Sequence, residues 1–113
     1  MTDRNLRRRR GMLAAAALAL AILATAAHAD DAKVVIDNFT FTPATLTVAV
    51  GTRVVWTNND DIPHTVVSAE SPPLFKSKAL DTDDAYSTVF DKPGTYGYFC
   101  GLHPHMQGTI VVK

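Results

Sequence analysis

The chain has 113 residues, 47% of them apolar, and its 11 basic and 11 acidic side chains cancel to a net charge of zero. That length suits one domain and leaves no room for two that fold independently. The charges are unevenly spread: Arg4, Arg7, Arg8, Arg9 and Arg10 crowd the first ten positions, whereas from residue 30 onward six basic residues face ten acidic ones, a net of −4. A nucleic-acid binder needs a basic face against phosphates, and this body does not supply one.

The N-terminal segment comes first. Residues 1–11 are basic, Met12 to Ala27 run almost wholly through Ala, Leu and Ile, and Ala27-His28-Ala29 sets small residues around a larger one before Asp30. This is the three-part pattern of a secretory signal, with cleavage expected after Ala29. Residues 1–29 are then the signal and 30–113 the working domain. A retained anchor is the alternative, but its 16 residues, mostly Ala, fall short of the roughly 20 that span a bilayer. The arginine run also satisfies a twin-arginine export pattern, which leaves the export route open.

The 84 residues from Asp30 to Lys113 form a small domain, of a size that is often marginal without help. Secreted domains commonly find that help in disulfides, yet Cys100 is the single cysteine of the sequence. A lone thiol in an oxidising compartment is reactive, so a second chain or a metal has to occupy it.

Strand patterns follow one another from there. Val34 to Ile36 leads into Phe39-Thr40-Phe41, which Pro43 ends. Leu46, Val48 and Val50 alternate with Thr45, Thr47 and Ala49. After Gly51-Thr52, the run from Arg53 to Thr57 centres on Trp56, and Asn58-Asn59-Asp60-Asp61 is turn chemistry. Thr65 to Val67 resumes a strand, and residues 69–84, with Pro72-Pro73 and several acids, read as a long connection. Ala85 to Phe90 alternates, Asp91 to Gly94 turns, Thr95 to Phe99 is rich in aromatics, and Thr109 to Val112 closes the series. No 3.6-residue period appears after residue 30. Seven to eight short strands with regular turn signals predict an all-β fold, an antiparallel β-sandwich with Greek-key connections.

The chemistry gathers between the last two strands. Residues 100–106 hold the thiol of Cys100, the imidazoles of His103 and His105, and the thioether of Met106, the only methionine after the signal. A further imidazole, His64, follows Asp61-Ile62-Pro63 at the head of a separate strand. Singly, each has a plain explanation: Cys100 as a small buried apolar residue, Met106 as core filler, His64 as a surface imidazole. Together they are soft sulfur plus imidazole, which selects copper, and two His, one Cys and a weak axial Met form the electron-transfer set. Cys100 would be held at a strand end, with the other donors of the short loop close behind it in sequence. His64 comes from elsewhere, so a metal would tie distant parts together and add folding free energy.

The combination of Asp61-x-Pro63-His64 with Cys100-x-x-His103-x-x-Met106-x-Gly108 resembles the cupredoxins, the small type 1 blue-copper proteins. The resemblance covers residues 33–113, including the Trp56 strand and the Gly94-Thr95-Tyr96 turn, and the short ligand loop is similar to that of the amicyanins. It implies one type 1 copper held by His64, Cys100, His103 and Met106. It implies a monomeric, periplasmic one-electron carrier rather than an enzyme, with no membrane contact after signal cleavage. The exposed edge of His103 would pass the electrons, ringed by Leu102, Pro104 and Pro63 in an apolar patch suited to short-lived docking. Asp81, Asp83 and Asp84 are either an acidic docking region or a solvated loop. The amicyanin likeness implies an amine dehydrogenase as donor and a c-type cytochrome as acceptor.

Two positions depart from the family. His105 stands where an apolar or aromatic residue is more usual, and alternation turns it away from the ion as an exposed non-ligand. Thr65 stands where many cupredoxins carry an Asn that braces the cysteine loop; being shorter, it is expected to do only part of that task. A copper carrier or store with the same ligands is the competing function, although such proteins favour exposed Met- or His-rich sites. A hydrolase with Cys100 as nucleophile would need a base, an orienting group and a cleft, for which so small a domain has little room.

Overall fold

Residues 30–113 are described in the computed structural model, so the expected signal segment lies outside the described residues. Alternating apolar side chains dictate eight strands: β1 Ala32–Asp37, β2 Thr40–Thr42, β3 Thr45–Val48, β4 Thr52–Asn58, β5 Val67–Ser68, β6 Ala85–Phe90, β7 Gly94–Phe99 and β8 Gln107–Val112. They form two four-stranded sheets, ordered β2-β1-β4-β6 and β3-β8-β7-β5. Among the described residues there is no helix.

The sandwich is as expected, but its pairing is mixed rather than wholly antiparallel. β1 runs parallel to β4, and β3 runs parallel to β8. Tight hairpins force antiparallel neighbours only on strands joined directly. Here the chain leaves the first sheet after β2, contributes β3 to the second, and returns with β4. Such a crossover frees β4 to lie parallel beside β1.

The inward faces close on each other with period two. Val34, Ile36, Phe41, Val54, Trp56 and Phe90 of one sheet meet Val48, Tyr98, Ile110 and Val112 of the other, all buried. Trp56 is the centre: its ring lies 5.3 Å from that of Tyr98 and 5.9 Å from that of Phe75. Val50 does not join this face. β3 ends at Val48, the Thr52 amide closes a turn onto the Ala49 carbonyl, and Gly51 takes a φ of +89° there. Val50 therefore stands half exposed at the turn. Gly108 is required for a packing reason, since a Cβ there would collide with the ring and hydroxyl of Tyr98.

The connection over residues 69–84 is tied down rather than loose. The Ser77 amide donates to the Val66 carbonyl, the Val66 amide donates to Ser77 Oγ, and the Ser68 amide donates to the Phe75 carbonyl. His64 and Leu80 exchange backbone hydrogen bonds of 3.1 and 2.8 Å, with both residues fully buried. This explains why β5 is only Val67–Ser68 where a strand from Thr65 is expected. Residues 64–66 pair with the returning connection instead of extending the sheet, and that pairing places His64 at one end of the sandwich.

Candidate metal centre

Cys100 follows the last residue of β7, and the loop after it closes on itself. The His103 amide donates to the Cys100 carbonyl at 3.2 Å, the Met106 amide to the His103 carbonyl at 2.9 Å, and the Cys100 amide to the Met106 carbonyl at 3.0 Å. Two successive tight turns thus set Cys100, His103 and Met106 on one short segment. Cys100 and Met106 are buried, His103 is half-buried and His105 is exposed.

Side-chain donors converge here. Cys100 Sγ lies 3.8 Å from His64 Nδ1 and 3.7 Å from His103 Nδ1. The ligand atoms of His64, Cys100 and His103 all lie within 4.8 Å of one another. Three soft or borderline donors at that spacing suit one ion with affinity for thiolate and imidazole. Met106, which is buried, carries its thioether in the same loop. The loop's own turns bring its members together, whereas His64 arrives from the segment before β5, 36 residues earlier.

The electrostatics favour a bound cation. Burial pushes the Cys100 thiol up, but the Thr65 amide, the His64 and His103 rings and the Leu102 amide outweigh it, bringing the thiol down to about 6. The thiolate is the form that binds metal. On the far side of His64, Nε2 lies 2.9 Å from Asp60 Oδ2. The hydrogen bond to His64, then the Phe39 amide, hold the Asp60 carboxyl below the usual carboxylate range. An ionised carboxylate only accepts, so Nε2 carries a proton toward Asp60, and Nδ1, which faces the sulfur, is the nitrogen left for a metal. A carboxylate behind a histidine ligand is the usual way of fixing its tautomer and orientation.

Asp60 and its supports are the residues that sequence reasoning missed. Asp60 Oδ2 also accepts from the Phe39 amide at 3.1 Å, and the Asp60 amide donates to Asn58 Oδ1 at 2.9 Å. Asn58 is fully buried, and its Nδ2 donates to the carbonyls of Ile62 and Leu80 at 2.9 and 2.8 Å. A run of Asn and Asp signals a turn; it does not say which carboxylate turns inward. Asp61, the acid in the recognised motif, is exposed, while its neighbour Asp60 is buried.

Phe39, expected within a strand, lies between β1 and β2. There Asn38 and Phe39 take positive φ of 49° and 56°, and the turn swings Phe39 over the site. Its ring stands edge-on to His64 at 5.5 Å and to His103 at 5.1 Å. Positive φ in an aromatic residue is strained, and the hydrogen bond from its amide to Asp60 compensates. Phe39 is 49% exposed and Leu102 54% exposed. Phe39 packs against half-buried His103, exposed Leu102 and Pro104 flank it in the loop, and exposed Pro63 precedes His64.

Thr65 braces the cysteine loop more fully than its length suggests. Its amide donates to Cys100 Sγ at 3.3 Å, and its Oγ1 accepts from the Gly101 amide at 2.7 Å. Among the described residues no helix is long and apolar enough to cross a membrane.

Known proteins are similar to this chain in sequence and fold. The cupredoxin-like domain family model matches residues 11–112. A chloroplastic plastocyanin of Tetradesmus obliquus is 38% identical over 104 residues, covering 80% of this chain and 72% of that protein. Amicyanin-alpha of Methylorubrum extorquens is 35% identical over 90 residues, covering 77% of this chain and 76% of that one. Among solved structures, a purple cupredoxin from Nitrosopumilus maritimus superposes with a TM-score of 0.69 at 35% identity, covering 74% of this chain and all of the other. With a two-sheet sandwich, a thiol and two imidazoles converging at one end, and a family match across most of its length, the chain belongs to the cupredoxin-like family.

Proposed function

We propose that the protein is a blue-copper one-electron carrier of the periplasm, with a single copper held by His64, Cys100, His103 and Met106. The observation that carries this reading is the convergence of the His64, Cys100 and His103 donor atoms within 4.8 Å. Its plastocyanin and amicyanin relatives, which are blue-copper electron carriers, support it. Bound copper supplies the Cu(I)/Cu(II) couple. The chain's own residues supply the rest. Cys100 and His64 are sealed from solvent, Asp60 holds the His64 ring by its distal nitrogen, and the loop hydrogen bonds keep Cys100, His103 and Met106 in register. A site held from both sides moves little between redox states, which favours fast electron exchange.

Half-buried His103 is the route for electrons, and Phe39, Leu102, Pro63 and Pro104 form the contact surface for a redox partner. Redox encounters use small interfaces, and a few apolar residues around one imidazole suit them. The amicyanin likeness favours an amine dehydrogenase as donor and a c-type cytochrome as acceptor. Delivery to the periplasm would proceed through the signal over residues 1–29.

Voltammetry of the copper-loaded protein in the presence of a Cu(I) chelator tests the carrier role. A carrier shows a reversible one-electron wave that persists through repeated cycles with copper retained. Loss of copper to the chelator on first reduction would replace the carrier by a copper-delivery protein.

A further inference from the structure

Thr65 touches both sides of the Cys100–Gly101 peptide. Its amide donates to Cys100 Sγ at 3.3 Å, and its hydroxyl accepts the Gly101 amide at 2.7 Å. The same hydroxyl oxygen lies 3.9 Å from Cys100 Sγ. A hydroxyl has one proton and two lone pairs. The Gly101 amide occupies a lone pair, so the proton remains free, and among the described residues Cys100 Sγ is the acceptor within its reach. Gly101 makes the approach possible, because a Cβ there would sit only 3.1 Å from Thr65 Oγ1.

We propose that Thr65 is a positioning residue that tunes the copper site: its hydroxyl fixes the Gly101 amide and gives its own proton to the Cys100 sulfur. The inference rests on the copper reading above and deepens it. A thiolate bound to Cu(I) keeps more negative charge than one bound to Cu(II). A donor on that sulfur therefore favours the reduced state and raises the reduction potential; hydrogen bonding around the cysteine sulfur is a known control of such potentials. At 3.9 Å the hydroxyl contact is longer than the amide contact, so the hydroxyl makes the smaller contribution. A short Thr thereby supplies the brace and adds a donor to the sulfur.

The test compares the full copper-loaded chain with Thr65→Val and Thr65→Ser. Removing the hydroxyl in Thr65→Val should weaken the preference for Cu(I) by about three- to tenfold, a fall in potential of about 30–60 mV for a one-electron couple. The thiolate-to-copper absorption should move to lower energy, because the sulfur electrons are no longer stabilised by the donor. Thr65→Ser, which keeps the hydroxyl, should restore both. In the metal-free protein the Gly101 amide should exchange with solvent faster in Thr65→Val and stay protected in Thr65→Ser, a readout that needs no copper. Should Thr65→Val fail to fold, Thr65→Ala carries the same expectations. An unchanged potential and band in the hydroxyl-free variant, or a fall just as large in Thr65→Ser, would overturn the proposal. Absence of an intense thiolate band in the unaltered protein would instead overturn the copper reading on which it stands.

Discussion

The two arms of the candidate site are built in opposite ways. The loop from Cys100 to Met106 is self-contained: three backbone hydrogen bonds within seven residues shape it, and β7 and β8 anchor its ends. The His64 arm borrows its order from the whole molecule. Asp60 holds the ring, Asn58 holds the Asp60 turn, Leu80 pairs with the His64 backbone, and Phe39 closes over the top. A local arm is specified by consecutive residues and tolerates change elsewhere. An assembled arm is vulnerable at every distant support, and substitutions should separate the two.

The largest effect is expected at Asn58. Its side chain satisfies two carbonyls and one amide in a fully buried position. Asn58→Ala strands all three, each costing about 1–3 kcal/mol when left unsatisfied, and should destabilise the metal-free protein by about 3–5 kcal/mol in denaturant titration. The Cys100 loop should keep its amide protection in native-state hydrogen exchange while residues 59–64 lose theirs. Equal loss in both would mean that the arms are not separable.

Next comes Gly108→Ala, at the anchor of the loop arm. The added methyl would collide with the Tyr98 ring, which is 2% exposed and packed against Trp56 and Phe41. Overpacking of this kind costs about 1–3 kcal/mol, read as a lowered denaturation midpoint. The shift should be accompanied by disorder at residues 100–108 rather than at His64.

Asp60→Asn should act on metal binding more than on folding. Loss of a carboxylate behind a histidine ligand typically weakens metal affinity by about 10–100-fold. Because a negative charge favours Cu(II) over Cu(I), the reduction potential should rise, opposite in sign to Thr65→Val. In the metal-free protein the Asp60 carboxyl sits below its ordinary value of 3.8. It therefore contributes stability that is fully present above that pH and is lost as pH falls through the lowered folded value. Asp60→Asn should abolish this part of the acid transition, measured as stability against pH. The thiol gives a companion signal: ultraviolet thiolate absorbance of the metal-free protein should rise with a midpoint of about 6 and return toward the ordinary thiol range on unfolding.

The same division explains what was legible beforehand. Cys100, His103 and Met106 lie within one turn-rich segment, where the resemblance to a cupredoxin ligand loop picks them out together, and alternation around Trp56 marks the core of the sandwich. Alternation reveals which face a residue occupies but not the direction of the neighbouring strand, so the parallel β1–β4 and β3–β8 pairs escaped notice. Asp60 and Phe39 escaped for a related reason. Each is defined by a contact some 20 residues away, and nothing in Asn58-Asn59-Asp60-Asp61 distinguishes the acid that turns in from the one that stays in water. Thr65 reads as a weakened brace because side-chain length is visible in a sequence, whereas the close approach that Gly101 allows is not.

The central claim is that the two arms meet on one copper through the Cys100 thiolate. Adding one equivalent of Cu(II) to the metal-free protein and recording its visible and electron-paramagnetic spectra tests this directly, with Cys100→Ser alongside. An intense blue thiolate-to-copper band with a narrow hyperfine splitting, both lost in Cys100→Ser, is the predicted result. A pale, ordinary Cu(II) spectrum that Cys100→Ser leaves unaltered would contradict it.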